Sequence, residues 1–399
     1  MSSQLFKESI AFRPFHYAWA NDIWKEHERM HWTEDEIPLG DDVSAWKNGT
    51  MLDGEKSFVT QILRMFTQSD VNVGHNYYHN LIPCFKNNEV VKMLGGFANR
   101  EGTHQNAYAL LNDTLGLPES EYSTFLEYKE MADKNEFMLS SDTSTTRGLG
   151  LALAKGLFSE GVSLFASFVM LLNFQRFGKM MGMCKIVEWS IKDETQHCIG
   201  VARLFRTVCE ENPRIVTEKF KREIYDMARR VVELEDAFID LAYENHTIEG
   251  LSKEEVKTYI RYIADRRLIM LGLKGNFMVK DNPLPWLDWI VSATNHTNFF
   301  EGKVAEYEVG GLQGSVDYDG VRTFTVFSKD GCPYCMKVKD EIVGLGHQFE
   351  EIKYNDDVER NKFYDRFMWK GKDRSVPKIF ENGELIAMGY TDFKNKFGV

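Results

Sequence analysis

At 399 residues the chain exceeds the usual span of one domain, so one large and one smaller domain are expected. Hydrophobic residues (43%) and charged residues (27%) suit a globular protein with a sizeable core, and a formal charge of −12 without a basic run argues against nucleic-acid partners and anionic membranes. The opening "MSSQLFKESI" has no apolar targeting segment, and four of the six cysteines stand singly, so a cytoplasmic, reducing setting is expected.

From about residue 54 to 300 the pattern is helical, with almost no strand signal. "KSFVTQILRMFTQSDVNVGHNYYHNLIPCF" and "KMLGGFANREGTHQNAYALLNDTLG" carry apolar residues at spacings of three and four, the second closing on glycine. "TSTTRGLGLALAKGLFSEGVSLFASFVMLLNFQRF" follows a Ser/Thr-rich connection that suits a helix cap. Its most apolar part, residues 161–175, is 15 residues long, short of the ~18–20 a span needs, and reads as a buried core helix. "CKIVEWSIKDETQHCIGVARLFRTVCEE" and "KREIYDMARRVVELEDAFIDLAYE" continue the series. The predicted fold is an all-α bundle of long helices.

After "GGLQGSVDYDG" the texture changes. "TFTVFS" alternates like a strand, "CPYC" opens a helix, and "QFEEIKY", another helical stretch and "VPKIFENGELIA" follow, with "ENG" as a hairpin signal. The β-α-β-α-β-β order predicts a small α/β thioredoxin-like domain. The expected boundaries are 1–309 for the bundle, 310–322 for a linker and 323–399 for the second domain.

Chemistry enters at "NREGTHQNAY". On a helix Glu101, His104 and Tyr108 share one face, and the same Glu-x-x-His spacing returns at Glu194 and His197. One copy would be incidental. Two copies are half of a dinuclear carboxylate site, which also needs one carboxylate from each of two further helices. Asp70 and Glu160 supply them, since each lies among apolar residues, 31 and 34 residues before its Glu-x-x-His. A carboxylate inside so apolar a helix as that of Glu160 is costly unless it is paired or metal-bound. Four carboxylates offset two divalent ions, and two imidazoles leave coordination positions open for dioxygen. Tyr108, one turn beyond His104, then becomes a one-electron donor.

These residues, Asp70, Glu101-x-x-His104-x-x-x-Tyr108, Glu160 and Asp193-Glu194-x-x-His197, resemble the small, radical-generating subunit of class I ribonucleotide reductase over about residues 5–310. The resemblance implies a ferritin-like fold and a di-metal centre, with iron in both positions or manganese in one or both. It implies a stored radical at Tyr108, with Trp32 of "HWTEDEIPLGDD" on the electron path and Asp193 linking Trp32 to His104. Tyr307 of "NFFEGKVAEYEVGG" would hand the radical to a separate large subunit, Tyr318 being the other tyrosine available there. A homodimer is implied too, and a flavoprotein activase if manganese is used. The chain departs from the family at Ser190, where an apolar neighbour of the radical tyrosine is usual, while Phe168 keeps to type.

Residues 322–399 resemble glutaredoxin. By that resemblance Cys332 is the attacking thiolate, favoured by the helix N-terminus, and Cys335 resolves the mixed disulfide. Lys329, the Val376-Pro377 pair with its cis-proline, Gly389 and Asp392 of "GYTDF" would line a glutathione site. Met388-Gly389 stands where the family often has two glycines, so a protein partner is the alternative to glutathione. Together the two domains would join a radical initiator to the reductant that restores the large subunit's disulfide. The rival readings are another di-metal oxidase or hydroxylase, and a metal-storing bundle, each with a glutaredoxin adaptor.

Overall fold

The computed structural model describes residues 3–139, 141–244, 246–287, 323–344, 348–353, 376–381 and 384–397. Tyr307, Tyr318, the 310–322 linker and the helical stretch expected between "QFEEIKY" and "VPKIF" lie outside the described residues. Contacts divide the chain into two compact units, Met1–Val304 and Ala305–Val399.

The first unit is helical throughout its described residues, apart from one isolated bridge between Ile248 and Leu251. Its α-helices are α1 (Ala18–Arg29), α2 (Gly40–Lys47), α3 (Asp53–His75), α4 (Asn88–Leu115), α5 (Glu121–Thr124), α6 (Lys129–Leu139), α7 (Thr146–Phe158), α8 (Phe165–Leu172), α9 (Met181–Glu211), α10 (Glu218–Tyr243) and α11 (Lys253–Met270). Local chemistry sets several of the ends. The Asn87 side chain accepts from Val90 N–H at the start of α4, Thr145 from Gly148 N–H at α7 and Thr217 from Phe220 N–H at α10, each at 3.0–3.2 Å. Gly116 stops α4 at φ 77°, a conformation glycine adopts without steric cost.

Two features depart from the periodicity. Helices α1 and α2 precede residue 54; α1 buries Ala20, Asn21 and His27, a face too polar to announce itself as an apolar stripe. The long patterns also break into π-turns, at Asn76–Leu81 after α3 and at Ser159–Ser163 between α7 and α8. Each adds a residue to a turn and redirects the side chains that follow. The stretch Thr146–Phe177 is long and apolar enough to cross a membrane by length and composition, yet its most apolar 18 residues are buried in the bundle, a core element as its 15-residue apolar stretch suggested. Helix α3 packs on α4, α4 on α9 and α7 on α9, so these elements enclose one centre.

The second unit contains β1 (Thr323–Ser328), α12 (Pro333–Gly344), β2 (Gln348–Lys353), β3 (Lys378–Glu381), β4 (Glu384–Met388) and α13 (Tyr390–Phe397). The sheet order is β2-β1-β3-β4, with β1 parallel to β2 and antiparallel to β3, and Glu381 opposite Glu384 across the β3–β4 pair. The mixed sheet matches the thioredoxin-like expectation, and α13 is an addition to the predicted order. A separate small core of Phe324, Val326, Val338, Ile342, Ile379, Ala387 and Phe393 holds it together.

Candidate metal centre

Four elements converge on one point. Asp70 comes from α3, Glu101 and His104 from α4, Glu160 from the π-turn at Ser159–Ser163, and Glu194 and His197 from α9. All six are buried, at 0–2% exposure. They form two overlapping groups able to hold a cation, Asp70–Glu101–His104–Glu194 and Glu101–Glu160–Glu194–His197, with Glu101 and Glu194 common to both. His104 Nδ1 lies 3.4 Å from Glu101 and 3.3 Å from Glu194; His197 Nδ1 lies 3.1 Å from Glu101, 3.2 Å from Glu160 and 3.4 Å from Glu194.

Whether this set fits two metal ions can be asked of its unsatisfied atoms. Asp70 Oδ2, both oxygens of Glu101, both of Glu194, Glu160 Oε1 and His104 Nδ1 are buried without a hydrogen-bond partner. Buried polar atoms are rarely left so. Seven of them gathered around one centre fit the ligand atoms of bound cations, and the oxygen-rich donor set with one imidazole per group would suit iron or manganese over zinc. The electrostatics agree. Burial drives Asp70 well above the usual carboxylate range and Glu160 up to about 7. Burial would also raise Glu101, but His104 and His197 overcome it and hold Glu101 down at about 2. For the imidazoles burial works toward neutrality, yet the carboxylates beside them, Asp193 and Glu101 at His104 and Glu101 and Glu160 at His197, raise both well above the ordinary value.

The surroundings of the two groups differ. His104 Nε2 is 3.1 Å from Asp193 Oδ2, and the same oxygen accepts from Trp32 Nε1 at 2.7 Å. The Trp32 ring lies 5.9 Å from that of His104, at 26°. Thus the structure brings Trp32, Asp193 and His104 into one hydrogen-bonded line. Arg100, buried at 2% exposure, donates to both oxygens of Asp193 and to Met30 O. With His104 it outweighs the cost of burial and holds the Asp193 carboxyl down at about 2.

On the other side, His197 Nε2 meets His27 Nε2 at 3.1 Å, and Glu160 Oε2 accepts from the Tyr77 hydroxyl at 2.7 Å. Burial, with His197 beside it, lowers His27 to about 3, so its ring is neutral. Were His197 to bind a metal through Nδ1, its proton would sit on Nε2 and His27 Nε2 would accept it. Tyr77 is fully buried, and burial beside Glu160 raises its pKa well above the ordinary value.

Tyr108 is also fully buried, on the face of α4 that carries His104. Its ring centroid is 4.4 Å from Phe66, which itself packs on Phe168 at 5.2 Å. Burial and the Asp70 carboxylate hold it in the phenol form, and its hydroxyl donates to Ser190 Oγ at 3.1 Å.

Arg100, Tyr77 and His27 escaped the sequence reading. Arg100 sits in the motif stretch itself, beside Asn99 and Glu101 where a solvated cation is the ordinary reading; Tyr77 and His27 lie 83 and 170 positions from the residues they touch and carry no local signal.

In the second unit Cys332 and Cys335 form a disulfide at the start of α12, and Cys335 N–H points at Cys332 Sγ, 3.2 Å away. Both are largely buried, while Tyr334 between them is 58% exposed. The Val376–Pro377 bond is cis, and Val376 O lies 3.9 Å from Cys332 Sγ. Lys329 is exposed, Gly389 has φ 106°, and Asp392 accepts from Met388 N–H at 2.7 Å.

Comparison with known proteins is consistent with this geometry. Residues 9–283 match the family model for ribonucleotide reductase, small chain, and residues 324–386 match the glutaredoxin model. A probable ribonucleoside-diphosphate reductase small subunit of Invertebrate iridescent virus 6 is 40% identical over 76% of this chain and 95% of its own length. The ribonucleoside-diphosphate reductase subunit beta of Chlamydia pneumoniae is 28% identical over 75% of this chain and 90% of its own. In fold, the chain is similar to the ribonucleotide reductase R2 subunit from Clostridium botulinum, with TM-score 0.68 and 22% identity over 73% of this chain and 94% of that one. It is also similar to dimanganese(II)-NrdF of Streptococcus sanguinis, with TM-score 0.61 and 21% identity over 72% of this chain and 100% of that one.

Proposed function

Because the chain belongs to the ribonucleotide reductase small-chain family, as a ribonucleoside-diphosphate reductase small subunit with a glutaredoxin domain, we propose that it stores a tyrosyl radical at Tyr108 and delivers it to a separate large subunit. The observation that carries this reading is the pair of overlapping carboxylate–histidine groups, with a fully buried tyrosine one helical turn from His104.

Asp70 and His104 would hold one ion, Glu160 and His197 the other, with Glu101 and Glu194 shared. Two bound ions, iron in the first instance, would supply oxidising power from dioxygen. The protein's residues do the rest. Burial keeps water from Tyr108, and Phe66 offers its ring no proton donor. Tyr108 would give one electron and its hydroxyl proton to the loaded centre; until then Ser190 Oγ accepts the hydrogen bond from that hydroxyl. Trp32 supplies the further electron through Asp193, which stays ionised between Arg100 and His104. The outward path would use the same Asp193–Trp32 line and then Tyr307.

In this reading residues 1–309 are the initiator, 310–322 a linker and 323–399 the glutaredoxin. Cys332 would attack the disulfide left in the large subunit, Cys335 would resolve the intermediate, and Lys329, Val376, Pro377, Gly389 and Asp392 would receive glutathione. The protein would act in the cytoplasm as a homodimer. Manganese is the alternative loading, following the dimanganese relative, and a flavoprotein activase would then be required.

The test is low-temperature EPR after anaerobic Fe(II) loading and exposure to oxygen, beside a Tyr108→Phe control. A doublet in the parent that is missing in the control supports the assignment. A spectrum silent with both Fe and Mn, at two ions per chain, would replace it with a di-metal oxidase.

A further inference from the structure

The six residues of the centre do not sit on equivalent backbone. Five lie on regular helix, whereas Glu160 lies on the π-turn Ser159–Ser163. A turn with an inserted residue does not hold a side chain as stiffly as a regular helix does, unless something outside it fixes the backbone. Here two buried cations from distant helices do so. Arg267 Nε of α11 donates to Gly161 O at 3.0 Å, and Lys134 Nζ of α6 donates to Ser163 O at 3.0 Å. Lys134 is itself locked by Glu235 of α10 at 2.6 Å, and Ser163 Oγ donates to the same Glu235 oxygen at 3.1 Å. Residue 161 has no room for a side chain, since a Cβ there would run into Arg267 Nε and Cys198 Sγ.

The backbone frame leaves one freedom, rotation of the Glu160 carboxylate itself. Its Oε1 has no hydrogen-bond partner, whereas Oε2 accepts from the Tyr77 hydroxyl and also lies 3.2 Å from His197 Nδ1. Tyr77 cannot move away easily. It is fully buried on the other π-turn, with its ring edge-on to Phe97 at 6.0 Å and to His197 at 6.1 Å. We propose that Tyr77 is a positioning residue for the metal centre: its hydroxyl holds Glu160 Oε2, the oxygen that faces His197 Nδ1, toward the ion shared with His197, while the Arg267 and Lys134 contacts fix the turn beneath.

The proposal rests on the metal-centre reading above, and the experiment separates the two. The probe is Mn(II) added to the metal-stripped full chain, with free Mn(II) counted by its EPR signal. Glu160→Gln identifies which uptake step belongs to the Glu160 side. Tyr77→Phe should leave the other step within about twofold and weaken the Glu160-side step roughly 10–100-fold, the usual cost of losing an outer hydrogen-bonding partner. The coupled two-manganese spectrum should give way to that of isolated Mn(II) at the same total concentration. Arg267→Gln should weaken the same step, with Arg267→Lys restoring most of it; this pair decides the matter if Tyr77→Phe does not fold. A Tyr77→Phe isotherm that superimposes on the parent's, or that weakens both steps alike, overturns the positioning role. A parent that takes up fewer than two ions overturns the metal-centre reading itself, and this one with it.

Discussion

The Asp70–His104 half of the centre and the Glu160–His197 half are written alike in the sequence, each a carboxylate followed about thirty residues later by Glu-x-x-His. In the folded chain they are built differently. Behind His104 stands an anion, Asp193, hydrogen-bonded to an indole and neutralised by a buried guanidinium. Behind His197 and Glu160 stand two uncharged groups, His27 and Tyr77. An imidazole hydrogen-bonded to a carboxylate is the more basic ligand. On the function proposed above, the first half would serve traffic in electrons and protons toward Trp32, and the second would hold an ion still. A duplicated motif therefore need not mean duplicated roles, because the outer partners come from unrelated parts of the chain.

The most severe way to break this comparison is to delete the phenol on the His104 side. Tyr108→Phe should abolish the radical while leaving two metals per chain, read by EPR and metal analysis together. A doublet that survived it and vanished only in Tyr77→Phe would reverse the roles of the halves. Next comes Glu194→Ala, which removes a carboxylate common to both groups and should cost both ions, reading near zero metal per chain on analysis.

Asp193→Asn sharpens the contrast. It leaves Arg100 buried without its counter-charge, which destabilises the metal-free protein by roughly 3 kcal/mol in urea denaturation. The same variant should slow turnover with a large subunit at least about 100-fold while sparing the Glu160-side metal step. Chelation should lower the melting temperature of the parent. Where free metal stood at about a hundred times its dissociation constant, the loss is about 2.7 kcal/mol.

The smallest effect concerns Lys155 of α7, which shares a small cavity with Asn72, Asn76, Ser159 and Glu160 and whose ammonium lies 4.8 Å over the Phe137 ring. Burial lowers its pKa to about 8. The unfolded chain keeps this proton to about pH 10.4. The unfolded state therefore binds more protons between about pH 8 and 10, and stability rises with pH across that window. Below pH 8 the folded state bears the whole cost. Lys155→Met should then flatten that slope, as followed by denaturation at several pH values.

What could be read from the sequence follows from the range of each interaction. Glu101, His104, Tyr108, Glu194 and His197 announce themselves because helical spacing is local, and Asp70 and Glu160 because a carboxylate in an apolar run is costly. The β–α pattern around "CPYC" is equally local. The π-turns carry no signal in residue spacing, since each is one inserted residue held by remote groups such as Arg267 and Lys134. Helix α1 hid because the side it buries includes Asn21 and His27, whose value lies in what they meet across the bundle. Long-range pairing is where a single sequence is mute.

If Tyr108 stores the proposed radical, Ser190 gives that site a moving part. In the resting protein the Tyr108 hydroxyl is the donor and Ser190 Oγ the acceptor. Once the phenol has given up its hydrogen, that bond has lost its proton, and only a turn of the serine hydroxyl about its own C–O axis can restore it with the direction reversed. This rotor would leave a fingerprint in the magnetic anisotropy of the radical: a donor at the phenoxyl oxygen draws the largest principal g value down toward that of the free electron. High-field spectra of the parent and of Ser190→Ala should differ along that one axis.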